Sequence, residues 1–288
     1  MTRPPTVRPH TLHAAGIELS ALLALPGTTP PRSTILAIHG RGMRAAYWNS
    51  FIPLATAAGH AVLAVDRPGY GASAGHLPEG QTLAEQAETL HAALKEHART
   101  HDTGAGFHLL GHSDGGKVAL HTAATAGGAV PLLGLDTSGT GYQYDPQALH
   151  FPSTLGGGAT KLNWGPLHLY PRGTVQASRA LLAPTPPRES AETIHWPRQF
   201  ETLAPDVRIP VRLTFAEHEA WWHLDDTTLT AMTSRLTRSP SVTVDHLPAA
   251  GHNISLGHTA DTYHQRALAF LDACLPPATT ARRAPQHN

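Results

Sequence analysis

At 288 residues the chain can bury a sizeable core, as one large domain or two small ones. Its 21 Lys and Arg balance 21 Asp and Glu, and no basic run interrupts that balance, so no nucleic-acid partner is expected. Cys274 stands alone, which excludes an intrachain disulfide and a cysteine-built zinc site. The first segment lacks the apolar stretch of a signal peptide, and no apolar run is long enough to cross a bilayer, so a cytoplasmic protein with no membrane partner is expected.

Residues 1–9 carry no apolar pattern and read as a flexible end, as do 276–288. "HTLHAA" and "IELSALLALP" read as two strands turning at Gly16. "STILAIHG" is a short apolar run closed by glycine, the pattern of a buried parallel strand. "AYWNSFIPLATAAG" has helical spacing and stops at Gly59, and "HAVLAVDRPGYG" is another buried strand leading into a turn. "TLAEQAETLHAALKEHART" is an amphipathic helix with Leu83, Ala87, Leu90 and Leu94 on one face. "GFHLLGHS", "DGGKVALHTAATA" and "VPLLGLDTSG" continue as strand, helix and strand.

The rhythm breaks over 141–205, a proline-rich segment holding Tyr142, Tyr144, Phe151, Trp164, Tyr170, Trp196 and Phe200. It resumes with the strand "VRIPVRLTFAEHE", a helix near 226–237, the strand "SVTVDHL" and a last helix in "TADTYHQRALAFLDACL". Apolar strands alternating with helices predict an α/β fold whose mostly parallel central sheet is flanked by helices on both faces. The simplest organisation is one discontinuous core domain, 10–140 with 206–275, into which 141–205 is inserted as a cap or lid.

Two motifs overlap in "HLLGHSDGGKVAL". Gly111, Gly116 and Lys117 fit most of a phosphate-cradling loop, but the next position needs a hydroxyl for magnesium and is Val118. Gly111-His112-Ser113-Asp114-Gly115 is also G-x-S-x-G. That strand-to-helix turn exposes a nucleophilic serine and aims a helix N-terminus at a developing oxyanion. A serine nucleophile needs a base, and the base needs an acid to orient it. "PAAGHNISLG" offers His252 after the last strand, and "LTFAEHEAWW" offers Glu217 and Glu219 after the strand before it, in the chain order Ser, acid, His. "HEAWWH" is one residue too long for a helical zinc motif, since His218 and His223 would lie about 140° apart around a helix, so no metal is expected.

The elbow, that chain order, the "HG" after "STILAI" and the turn "DRPGYGAS" resemble the α/β-hydrolase family over roughly residues 10–275. The resemblance implies the α/β-hydrolase fold, with its cap between the sixth and seventh strands, and no cofactor. "GHSDGG" is similar to serine esterases and carbon–carbon bond hydrolases, whereas relatives with an Asp nucleophile are argued against by Ser113. Such families write the acid loop as G-x-x-D, which puts Glu219 on the acid. Glu217 in the same loop and Asp136 at the end of the preceding strand stay as alternatives. The resemblance places the oxyanion hole at the backbone N–H groups of Arg41 and Asp114, with Gly40 and Gly42 letting the loop approach and His39 organising it. The Arg41 side chain is expected either to meet a polar or acidic substrate group or to lie on the surface.

Trp48, His112, Trp164, Trp221 and Trp222 are candidate walls of an apolar or aromatic pocket. The resulting reading is a serine hydrolase that cleaves an ester, lactone or thioester of a hydrophobic small molecule through an acyl-enzyme. Acyl transfer, cyclisation or carbon–carbon hydrolysis by the same residues is the alternative, and a non-catalytic ligand-binding protein of this fold is the alternative of another class.

Overall fold

The short apolar runs form one eight-stranded sheet in a computed structural model that describes residues 6–27, 30–128, 130–149 and 157–277. The strands are β1 (Val7–Ala14), β2 (Ile17–Ala24), β3 (Thr34–Ile38), β4 (Ala61–Val65), β5 (Phe107–His112), β6 (Leu132–Ser138), β7 (Val211–His218) and β8 (Val242–Gly251). Their spatial order is β1-β2-β4-β3-β5-β6-β7-β8. β1 and β2 form a hairpin about Ala15 and Gly16, both at positive φ, the left-handed turn that matches the twist of the flanking strands. β2 is antiparallel to β4, and every neighbour from β4 to β8 is parallel.

β1 begins earlier than the flexible end expected over 1–9. Val7 pairs with Ala24 and Pro9 with Leu22, and β1 is an edge strand, where a proline costs no ladder bond that a neighbour needs. Residues 1–5, residues 278–288 and Phe151, on which other expectations fall, lie outside the described residues.

The α-helices are α1 (Ile52–Ala57), α2 (Leu83–Thr100), α3 (Asp114–Ala124), α4 (Pro146–Leu149), α5 (Gly157–Trp164), α6 (Thr174–Ala177), α7 (Pro187–Glu192), α8 (Trp196–Leu203), α9 (Asp226–Arg235) and α10 (Ala260–Ala273). Leu90 and Leu94 of α2 and Val118 of α3 pack with Leu36, Leu63 and Leu109 on one side of the sheet. Ile52 of α1 and Tyr263 and Ala267 of α10 pack with Ile35, Val62 and Leu110 on the other. Covered on both faces, β3, β4 and β5 are buried throughout, which is why they read as continuous apolar runs rather than alternating ones. The α2 start is set by a reciprocal capping box between Thr82 and Glu85, worth about 1 kcal/mol.

Parallel strands send the chain out of the sheet at one edge. The C-terminal ends of β3, β5, β7 and β8 therefore deliver Gly40 and Arg41, Ser113, Glu219 and His252 to the same side. Over that edge runs the segment holding α4 to α8, between β6 and β7. It is tied to the core by a buried ion pair. Arg67 donates to both oxygens of Glu189 on α7 at 2.7 and 3.0 Å, and Tyr70 Oη and Gln86 Nε2 complete the carboxylate's partners at 2.7 and 2.8 Å. Beside this pair, Pro186 packs onto Gly80, where an added Cβ would come within 2.2 Å of the proline ring.

Candidate active site

Ser113 sits between β5 and α3 with φ 53° and ψ −122°, a region that costs a non-glycine residue about 1–3 kcal/mol. Surrounding glycines make that conformation possible. A Cβ on Gly111 would lie 2.6 Å from the Cα of Gly116, and one on Gly115 would lie 2.3 Å from the carbonyl oxygen of Ile38. The backbone is held from both sides, since Ser113 N donates to Ser138 O at 2.8 Å and Thr140 Oγ1 donates to Ser113 O at 2.8 Å.

His252, in the loop after β8, places Nε2 3.1 Å from Ser113 Oγ. Its Nδ1 faces Glu219 Oε2 at 2.8 Å and Oε1 at 3.0 Å. Glu219 Oε1 also accepts from the N–H groups of Ala220 and Trp221 at 3.1 and 3.0 Å, which fixes the carboxylate plane. Both side chains are buried. Gly139, at φ 61°, lets them approach, because a Cβ there would lie 2.8 Å from His252 Cε1.

The two alternative acids are engaged elsewhere. Glu217 is exposed and accepts from Ala249 N at 2.7 Å. Asp136 is buried against Arg212 and accepts from Tyr263 Oη at 3.1 Å, so it neutralises a buried guanidinium rather than orienting an imidazole.

The loop after β3 leans on the elbow. A Cβ on Gly40 would be 3.2 Å from Ser113 Cβ, so a side chain there would press on the elbow. His39 Nδ1 donates to Gly40 O at 2.8 Å, so its Nε2 accepts from Arg67 N at 3.1 Å, and burial lowers its pKa well below the usual value. A neutral ring locked at both nitrogens organises the loop.

A cavity of about 480 Å3 opens above Ser113 and His252. His112, Trp221 and Trp222 line it, and Gly40, Arg41 and Asp114 form part of its wall. His112 stacks on Tyr47 with ring centroids 4.9 Å apart, and burial followed by the neighbouring His252 lowers its pKa well below the usual value. Trp48 and Trp164 do not line the cavity. Trp48 is fully buried in the core against Tyr47 and Phe51, and Trp164 packs edge-on to Tyr170 in a small separate cluster. A more open cavity of about 540 Å3 runs along β7 and β8 past Glu217 and includes neither Ser113 nor His252.

Several wall residues escaped sequence reasoning, among them Lys117, Tyr144, Asn163 and Thr193. Lys117 had a signal: a lysine inside an otherwise apolar helix, one turn past Ser113. Its Nζ donates to Asp114 Oδ1 at 2.7 Å and Tyr144 Oη at 2.8 Å, while Arg41 Nε donates to Asp114 Oδ2 at 2.6 Å. The Arg41 side chain thus lies against the cavity rather than on the surface. Among the described residues, His10, His97 and His101 are the group whose ligand atoms, within 4.8 Å of one another, could share a metal ion. None of them lines the cavity.

Residues 35–266 match the model of the alpha/beta hydrolase family, and the chain belongs to that family. Among solved structures, a thermostable carboxyl esterase from Bacillus coagulans superposes with a TM-score of 0.71 at 17% identity, covering 96% of this chain and 100% of the other. A soluble variant of monoglyceride lipase from Saccharomyces cerevisiae gives 0.70 at 15% identity, covering 96% and 97%. The dihydrolipoyllysine-residue acetyltransferase component of the acetoin cleaving system of Pseudomonas putida is 32% identical over 253 residues. That match takes in 85% of this chain, which spans 64% of the relative's length. Among the described residues no helix is long and apolar enough to cross a membrane.

Proposed function

We propose that the protein is a serine hydrolase that cleaves an ester, lactone or thioester of a small molecule through an acyl-enzyme. The observation that carries this reading is the continuous relay Glu219–His252–Ser113 ending in the cavity. Ser113 Oγ attacks the carbonyl carbon while His252 Nε2 takes its proton, and Glu219 stabilises the imidazolium that results. The oxyanion lies against the backbone N–H groups of Arg41 and Asp114, where one such donor is worth about 10²–10³ in rate. His252 returns the proton to the departing alcohol or thiol. Water then attacks the acyl group by the same path, releasing the acid and restoring Ser113.

In this reading residues 141–205 act as a cap. Tyr144, Asn163, Thr193 and Ile194 contribute to the cavity wall and limit its access to water. The test is intact-mass spectrometry after treatment with a fluorophosphonate. One adduct on the wild type and none on Ser113→Ala is the expected result. Equal labelling of both, or of neither, removes Ser113 as the nucleophile.

A further inference from the structure

The cavity wall contains more positive charge than its own carboxylates balance. Asp114, the residue after the nucleophile, is clamped between Arg41 and Lys117, each taking one of its two oxygens. Behind them Arg67 and Glu189 form a closed pair. Three cations therefore meet two carboxylates, and all but Arg41 are nearly excluded from solvent. Among the described residues Glu219 makes no ion pair with these cations; it faces His252 and accepts from the N–H groups of Ala220 and Trp221. Burial opposes the charge on each partner, but the close pairing outweighs it. Asp114 is held well below the usual carboxylate range, and Lys117 stays above its usual value.

Lys117 is also framed by aromatic faces, with Nζ 5.1 Å from the Trp222 ring centroid and 5.2 Å from that of Tyr144. Arg41 Nε is taken by Asp114 and Nη2 by Thr193 Oγ1, while Nη1 has no acceptor among the described residues. Arg41 keeps 24% of its side chain exposed, so its unused guanidinium nitrogen is open at the cavity wall to an anionic group that would form a charge-assisted pair with it.

We propose that this cluster is the recognition site for a carboxylate on the substrate, so that the enzyme cleaves hemiesters or hemithioesters of short dicarboxylic acids. The proposal rests on the serine-hydrolase reading. One excess charge matches a monoanionic carboxylate better than a dianionic phosphate. Lys117 stands in the first turn of α3, whose N-cap is Ser113, and both line the cavity, so the carboxylate lies only a few bonds from the carbonyl under attack. The lysine that made the elbow resemble a phosphate loop thus serves an anion after all, but one carried by an acyl chain.

The test compares 4-nitrophenyl hydrogen glutarate with its neutral methyl ester. The wild type is expected to favour the acid at least about tenfold in kcat/KM, chiefly through KM. Lys117→Met and, separately, Arg41→Gln should shrink that preference about tenfold, and Lys117→Arg should restore most of it. If the cations only brace Asp114, both esters lose rate in the same proportion and the ratio stays where it began. That result overturns the proposal while leaving the hydrolase reading intact, as does a wild type indifferent to the two esters.

Should neither ester turn over, calorimetric titration of Ser113→Ala with monomethyl glutarate, a monoanion, decides. Binding that weakens at least about tenfold on adding Lys117→Met supports the site. No binding, or binding unaffected by that change, overturns it. Failure of the wild type to take the fluorophosphonate would count separately, against the hydrolase reading.

Discussion

Glu219→Gln removes the charge behind His252 while keeping the side chain's shape. Glu219 Oε1 accepts two backbone N–H groups, so the oxygen of the new amide stays there and its NH2 takes the place of Oε2, 2.8 Å from His252 Nδ1. Two N–H groups cannot face one another. Nδ1 keeps the amide oxygen at 3.0 Å, but the closer NH2 at 2.8 Å favours the tautomer in which Nδ1 accepts; the ring proton of that tautomer sits on Nε2, points at Ser113 Oγ and cannot receive the serine proton. The lost ion pair alone is worth about 4 kcal/mol for unit charges about 4 Å apart at an effective dielectric near 20. That is about 10³ in rate, and the wrong tautomer extends it toward about 10⁴.

The assay is kcat on an activated ester, with KM and the unfolding midpoint measured alongside. We expect kcat to fall by about 10³–10⁴ with KM little changed. Glu217→Gln serves as the control and should stay within about twofold, since that carboxylate is exposed and accepts from Ala249 N, away from His252. Retention of more than about a tenth of kcat in Glu219→Gln would refute the assignment of the acid.

Two further outcomes concern stability. Glu189→Gln leaves Arg67 buried with its charge unpaired and should cost about 3–5 kcal/mol by urea unfolding, whereas Arg67→Met combined with Glu189→Leu should recover most of the loss. A single-variant cost below about 1 kcal/mol would mean that the pair does not anchor the helical segment. Burial pulls His108 down to about 3, and His121 and His264 down to about 4, each from an ordinary value of 6.5. The folded state therefore binds fewer protons than the unfolded state below 6.5. This contribution is fully present above pH 6.5 and is lost as pH falls toward 4, at up to about 1.4 kcal/mol per pH unit for each ring. Urea midpoints that stay flat from pH 7 to pH 5 would contradict it.

By itself the sequence determined what depends on local chemistry. The runs "TILAI" and "AVLAV" are buried strands because, Thr34 apart, they are apolar throughout, and the glycines at 111 and 115 announce a turn that no bulkier residue could make. The family follows from that turn and from the order of Ser113, the acidic loop and His252. Which of Glu219, Glu217 and Asp136 meets His252 is visible only in the tertiary structure. All three lie at or near the C-terminal ends of β6 and β7, and they differ in whether an imidazole, a backbone N–H or a guanidinium stands within about 3 Å.

The same holds for the aromatics. Trp48 and Trp222 are equally apolar in the sequence, yet one is fully buried in the core behind Tyr47 and the other faces the cavity. The cationic wall was the least legible feature, because Arg41, Asp114 and Lys117 become one cluster only when the loop after β3 folds against the start of α3. A contact 73 residues apart in the chain leaves no period for a sequence reading to detect.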